Sequence, residues 1–267
     1  MRLSVDHTTR YSYDQPVRGV VQSHRLSPTV FDGQSVVDWN VHVSDGIMGG
    51  GFRDGAGNWV QSWSVQGPIS EITVTVRGTV ETRDTAGILR GNRETTSPIA
   101  WLGATHHTAP DVALTELAHG VSGQGLGLIH AMSAAISEAV AFVPGATHSH
   151  TTAAEALALG EGVCQDHAHV LITCARLRDM PARYVSGYLF ATADGVAHEA
   201  AHAWAEIYVE DLGWVGFDPA NYKSPDEGYI RLCCGMDARE AAPIRGISRG
   251  QGTESMEIAV AVAAAQQ

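Results

Sequence analysis

A switch in hydrophobic period near residue 100 constrains this 267-residue chain more than any other feature. Before it, short runs rich in Val, Thr, Tyr and Trp alternate apolar and polar residues between Gly, Pro and Asp breaks, the pattern of half-buried strands joined by turns. Runs at 2–13, 35–43, 59–65 and 69–82 are the candidate strands, with Asp54-Gly55-Ala56-Gly57-Asn58 as a hairpin loop. Their natural assembly is a small β-sandwich or barrel. Residues 96–111, with Pro98, His106, His107 and Pro110, hold no period and read as a linker.

Beyond the switch, helical spacing takes over. Ile129, Met132, Ala135, Ile136 and Val140 predict a helix over 126–142, stopped by Pro144-Gly145. Thr152 with Glu155 forms a capping box that starts a second helix, ending at Gly160. A third spans 164–178, where Ala168, Leu171, Ile172 and Ala175 repeat on one face and Cys164 stands at the start of it. Strands are expected at 182–190, 202–209, 213–217 and 257–262. The fold class is therefore α+β, with an amino-terminal β domain over 1–100 and a mixed second domain over 101–267.

Seventeen basic and 29 acidic residues give a net charge of −12, which excludes strong attraction to nucleic acid or to an anionic membrane. The residues after Met1 hold no apolar stretch of signal-peptide length, and no run approaches the roughly 20 residues of a membrane span. Cys164, Cys174, Cys233 and Cys234 do not resemble a spaced disulfide framework, so the expected setting is a reducing cytoplasm. Neither a phosphate-cradling glycine loop nor a calcium loop is present, and no cofactor or metal is expected.

The chemistry-bearing residues are Cys164, His202 and Asp218, a set able to supply a nucleophile, an acid–base group and an orienting carboxylate. First-turn amides and the dipole of a helix favour negative charge on a thiol placed where Cys164 is. In the strand from 202, His202, Trp204, Glu206 and Tyr208 face one way and Ala203, Ala205, Ile207 and Val209 the other, the small aliphatic side being the packed one. If Glu210-Asp211-Leu212 is a three-residue hairpin loop, Val209 lies opposite Gly213 and Asp218 falls diagonal to His202, within reach of a hydrogen bond. Taken singly, Cys164 is a buried small hydrophobe, His202 a satisfied histidine and Asp218 a turn residue before Pro219. Only their joint order carries the catalytic reading. Cys164, His167 and His169, with His198 and His202, are a competing metal set, but a helix turning 100° per residue cannot aim the first three at one ion.

These residues resemble the bacterial transglutaminase-like proteins of the transglutaminase and cysteine-peptidase superfamily. The likeness lies in Gly162-Val163-Cys164-Gln165-Asp166, Ala168-His169, Pro181 to Tyr188, His202-Ala203-Trp204 and Gly213 to Pro219. His7 to Tyr13 is similar to the start of that family's amino-terminal β domain, and Ala242 to Gly246 to its carboxy-terminal part. The resemblance implies a helix carrying the nucleophile Cys164 packed on an antiparallel sheet that carries His202 as general base and acid and Asp218 as orienter. It implies a peptide or protein amide as substrate, reacting through a thioester. Water then gives a peptidase or amidase, the preferred expectation, and an amine gives a transglutaminase. A non-catalytic binding module of the same fold is the alternative of another class. His167 departs from the family's usual aromatic residue, and Cys233, Cys234 and Ala238 from its usual apolar residues and tyrosine.

Overall fold

The computed structural model describes residues 1–190 and 201–265. One of its sheets is curled, antiparallel and six-stranded. β1 (Arg2–His24) and β4 (Trp59–Thr82) pair along most of their length at its centre. β2 (Gln34–Val43) and β3 (Gly46–Arg53) pair with the far side of β4. The two runs expected at 59–65 and 69–82 are thus one strand, and β3 was not anticipated. Its Gly49-Gly50-Gly51 run breaks the alternation by which a strand is read. The expected loop at 54–58 joins β3 to β4, where the Asp54 carboxylate accepts from the Asn58 amide nitrogen at 2.9 Å.

A second antiparallel sheet has five strands, four of them from the second half of the chain. Its order is β11 (Tyr229–Gly235), β8 (Ala182–Leu189), β9 (Ala201–Val209), β10 (Gly213–Phe217) and β5 (Ile88–Leu89). Helices α1 (Val112–Gly120), α2 (Gly125–Ala139), α3 (Ala153–Leu159) and α4 (Cys164–Leu177) share one apolar core with β8, β9 and β10.

 

α4 is central to that core: every residue from Asp166 to Arg176 is buried, the polar Asp166, His167, His169, Thr173 and Arg176 among them. Thr152 and Glu155 form the expected capping box on α3, and Gly160 ends it in the left-handed region at φ 70°. α2 stops at Ala139, before the expected 142. The cause is tertiary: β6 (Ala141–Phe142) leaves the helix to pair in parallel with β7 (Glu161–Gly162), the segment that leads into α4.

Two late strands return to the first sheet. β12 (Ile244–Arg249) and β13 (Glu254–Ala264) both pair antiparallel with β1, so residues from beyond 101 complete the amino-terminal sheet, while β5 joins the second one. Side-chain amides lock the two sheets together along the free edge of β11. Gln34 gives its Nε2 hydrogen to the Arg231 carbonyl at 2.8 Å and accepts the Arg231 amide hydrogen at 2.8 Å. Asn58 does the same for Cys234, at 2.9 Å in both directions. Each amide imitates one residue of a neighbouring strand, satisfying backbone groups that would otherwise be buried without partners. No helix among the described residues is long and apolar enough to cross a membrane.

Candidate active site

Cys164 is the first residue of α4 and half-buried, whereas Cys174, Cys233 and Cys234 are fully buried. Burial pushes the Cys174 and Cys233 thiols up to about 12, so neither is a nucleophile near neutral pH. The turn that presents Cys164 is held by Asp166. Its Oδ2 accepts from the Val163 amide at 2.8 Å and from the Thr147 hydroxyl at 2.5 Å. Gly162 makes room for this fold-back, since a Cβ there would stand 2.7 Å from the Asp166 Cβ.

His202 lies near the start of β9, and the expected hairpin register is observed, with Val209 opposite Gly213 and Ala205 opposite Phe217. That register brings His202 Nε2 to 2.6 Å from Asp218 Oδ2. The same carboxylate oxygen accepts from Asn221 Nδ2 and from the Tyr229 hydroxyl, each at 2.7 Å. Both aliphatic and polar faces of β9 are packed, contrary to the expectation of one packed side. Glu206 is buried between Arg183 and Arg231, with closest contacts of 2.7 Å to each, and Trp204 stacks beside His202 at a ring separation of 6.4 Å. Gly187 permits this, because a Cβ there would come 2.7 Å from the Trp204 ring.

Burial lowers the His202 pKa, but hydrogen bonds to Asp218 and Cys164, and the charges of both, outweigh it and carry the value from 6.5 up to about 10. For Asp218, burial works upward and is outweighed by the hydrogen bond and charge of His202 and by the Asn221 and Tyr229 donors, which hold the carboxyl below its ordinary range. Burial and the Asp218 carboxylate push the Tyr229 hydroxyl up, keeping it a donor. With Nε2 engaged by Asp218, Nδ1 is the imidazole nitrogen left for the thiol. Cys164 and His202 line one cleft of about 400 Å³, which His7, Thr9 and Tyr11 of β1 also line.

The competing metal set is directed elsewhere. The His167 nitrogens lie 2.9 and 2.8 Å from the carbonyl oxygens of Val163 and Val140, and His169 Nε2 accepts from the Ala238 amide at 3.1 Å. His198 lies outside the described residues. Among the described residues no group of three His, Cys, Asp or Glu side chains is arranged to hold a metal ion. Asn221 and Tyr229 were not anticipated. The short 3-10 turn Pro219–Asn221 brings Asn221 back beneath Asp218, and the Asp-Pro start of that turn is a sequence signal for the i to i+3 approach. Tyr229 comes from β11 and carries no local signal.

The arrangement is an α+β fold in which a thiol-bearing helix and a histidine–aspartate pair on an antiparallel sheet meet at one cleft. Residues 116–219 match the transglutaminase-like superfamily, and residues 3–81 match the bacterial transglutaminase-like N-terminal region. The chain thus carries a transglutaminase-like core behind a bacterial transglutaminase-like N-terminal region. An uncharacterized protein of Mycobacterium leprae is 28% identical over 98% of both chains. An uncharacterized protein of Mycobacterium tuberculosis is 37% identical over 39% of this chain and 36% of its own length. The fold is similar to that of a crystal structure named "Putative Cysteine Protease from Cytophaga hutchinsonii", with a TM-score of 0.78 and 22% identity over all of this chain and 91% of that one.

Proposed function

We propose that the protein is a thiol-dependent enzyme acting on amide bonds of peptides or proteins, with Cys164 as nucleophile, His202 as general acid and base, and Asp218 as the group that orients His202. The observation that carries this reading is the 2.6 Å contact of His202 with Asp218 beside a half-buried thiol at the first turn of α4. The Cys164 thiolate attacks the amide carbon, and the oxyanion that forms is met by first-turn amides that have no acceptor within the helix. The His202 imidazolium gives its proton to the departing amine as the C–N bond breaks, leaving a thioester and a neutral imidazole. Water then adds to the thioester with its proton passing to His202, and the acid leaves with regeneration of the thiolate. Hydrolysis is favoured over transfer to an amine because the cleft around Cys164 is open to water.

The test is a set of glutamine-containing peptides incubated with and without methylamine, reading ammonia release, chain cleavage and product mass together. Deamidated or cleaved peptide as the main product, lost in Cys164→Ala, is expected. A methylamide adduct as the main product would overturn the hydrolytic assignment, and activity surviving in Cys164→Ala would overturn the nucleophile.

A further inference from the structure

The wall of the cleft built by β1 and β13 is not used by the chemistry above. Along β13 every second residue from Val262 to Met256 is apolar. Val262 and Val260 pack on the core of the amino-terminal sheet, but Ile258 and Met256 continue the row past that core, 53% and 54% exposed, and line the cleft. They pair with Thr9 and Tyr11 of β1, whose side chains line it too. Deeper in, His7 has Nδ1 2.7 Å from the Tyr188 hydroxyl and Nε2 2.8 Å from the Thr9 hydroxyl. Burial lowers its pKa to about 4, so the imidazole is neutral. None of the described residues lining the cleft is Asp, Glu, Lys or Arg.

We propose that this wall is a substrate subsite, taking a large aromatic or branched aliphatic side chain next to the reacting amide of a peptide. The proposal rests on the thiol reading of the site and adds the class of substrate. Large apolar side chains left uncovered side by side mark a binding surface more often than an isolated one does, and these two lie in the same cleft as Cys164 and His202. A volume of about 400 Å³ sits within the usual range for small-ligand sites, which suits an amide with one bulky neighbour. A charged neighbour would lose its hydration there and meet no Asp, Glu, Lys or Arg partner among the described lining residues. The amino-terminal domain thereby acquires a role, because β1 and β13 belong to its sheet.

The experiment measures alkylation of Cys164 by iodoacetamide, followed by mass spectrometry, in the presence of capped glutamine dipeptides. Phe, Leu, Asp or Lys is placed before or after the glutamine, so either side of the amide is sampled. Phe and Leu peptides are expected to halve the alkylation rate at concentrations at least about tenfold lower than Asp and Lys peptides, the scale of discrimination by an apolar pocket. Ile258→Asp and, separately, Met256→Asp should shrink that ratio. Ile47→Asp, at a position of 55% exposure on β3, which pairs with β4 and does not line the cleft, should keep it. Equal protection by all four peptides, or a ratio that survives both β13 substitutions in proteins with wild-type circular dichroism, would overturn the subsite. Failure of iodoacetamide to modify Cys164 at all would overturn the thiol reading, and the subsite with it.

Discussion

The two walls of the cleft differ in how they are held. On the side of α4, β9, β10 and β11, each reacting or orienting group has its place fixed by hydrogen bonds: Asp166 closes the turn before Cys164, and Asp218 gathers His202, Asn221 and Tyr229 on one oxygen. On the side of β1 and β13, Met256 and Ile258 are exposed and apolar. Proton transfer needs atoms held to fractions of an ångström, which buried polar networks provide at the cost of desolvation. Selection of a side chain needs only accessible apolar area of the right shape. Gln34 and Asn58, on the edge of β11, hold these two unlike walls at a fixed separation.

The comparison predicts that substitutions on the polar wall slow turnover of every peptide, while those on the apolar wall change which peptides react. The largest effect is expected from Cys164→Ala, which should abolish turnover and covalent labelling while leaving the melting curve near that of the wild type. Asp218→Asn should follow, with a fall in turnover of about ten-thousandfold on the serine-protease precedent, measured on apolar and charged peptides alike. A change confined to one peptide class would break the division between the walls.

The same variant sharpens the comparison through pH. Because the His202 pKa is raised from 6.5 to about 10, its contribution to folding stability should be complete below about pH 6.5 and be lost as pH rises through about 10. Any step that uses the imidazolium as an acid should fail on that same limb. Removing the Asp218 charge takes away a contribution that raises the pKa, so the limb of the pH–rate profile should move to lower pH in Asp218→Asn. An unmoved limb would assign it to another group.

Tyr229→Phe removes one of the three donors to the Asp218 oxygen. A hydrogen bond to a charged group contributes about 1.5–3 kcal/mol, so turnover should fall at least about tenfold, with the peptide preference unaltered. The smallest effect belongs to Thr152→Ala, remote from both walls. It removes half of the α3 capping box and should lower stability by about 1 kcal/mol in denaturant titration, with the pH–rate profile unchanged.

Local pattern made much of this molecule legible. Apolar spacing marked α4 and its first residue, and the capping box with Gly160 marked α3 within a residue at each end. The three-residue loop at 210–212 fixed the register that brings His202 to Asp218, because side chains in a strand alternate strictly and one slip would have reversed them. The full length of β4, the strand β3 and the early end of α2 were not legible. Glycines erase alternation in β3, and the end of α2 is decided by pairing of β6 with a segment twenty residues further on.

By itself, then, the sequence determined the α+β class, the helix that begins at Cys164 and the hairpin register that brings His202 to Asp218, since each follows from a period, a cap or a short turn. Tertiary structure alone decided that Tyr229 joins the Asp218 network, that Glu206 is enclosed by two arginines, and that β13 returns to β1 so that Met256 and Ile258 stand in the cleft. Those contacts join residues far apart in the chain. Their formation depends on how sheets pack, which no local periodicity encodes.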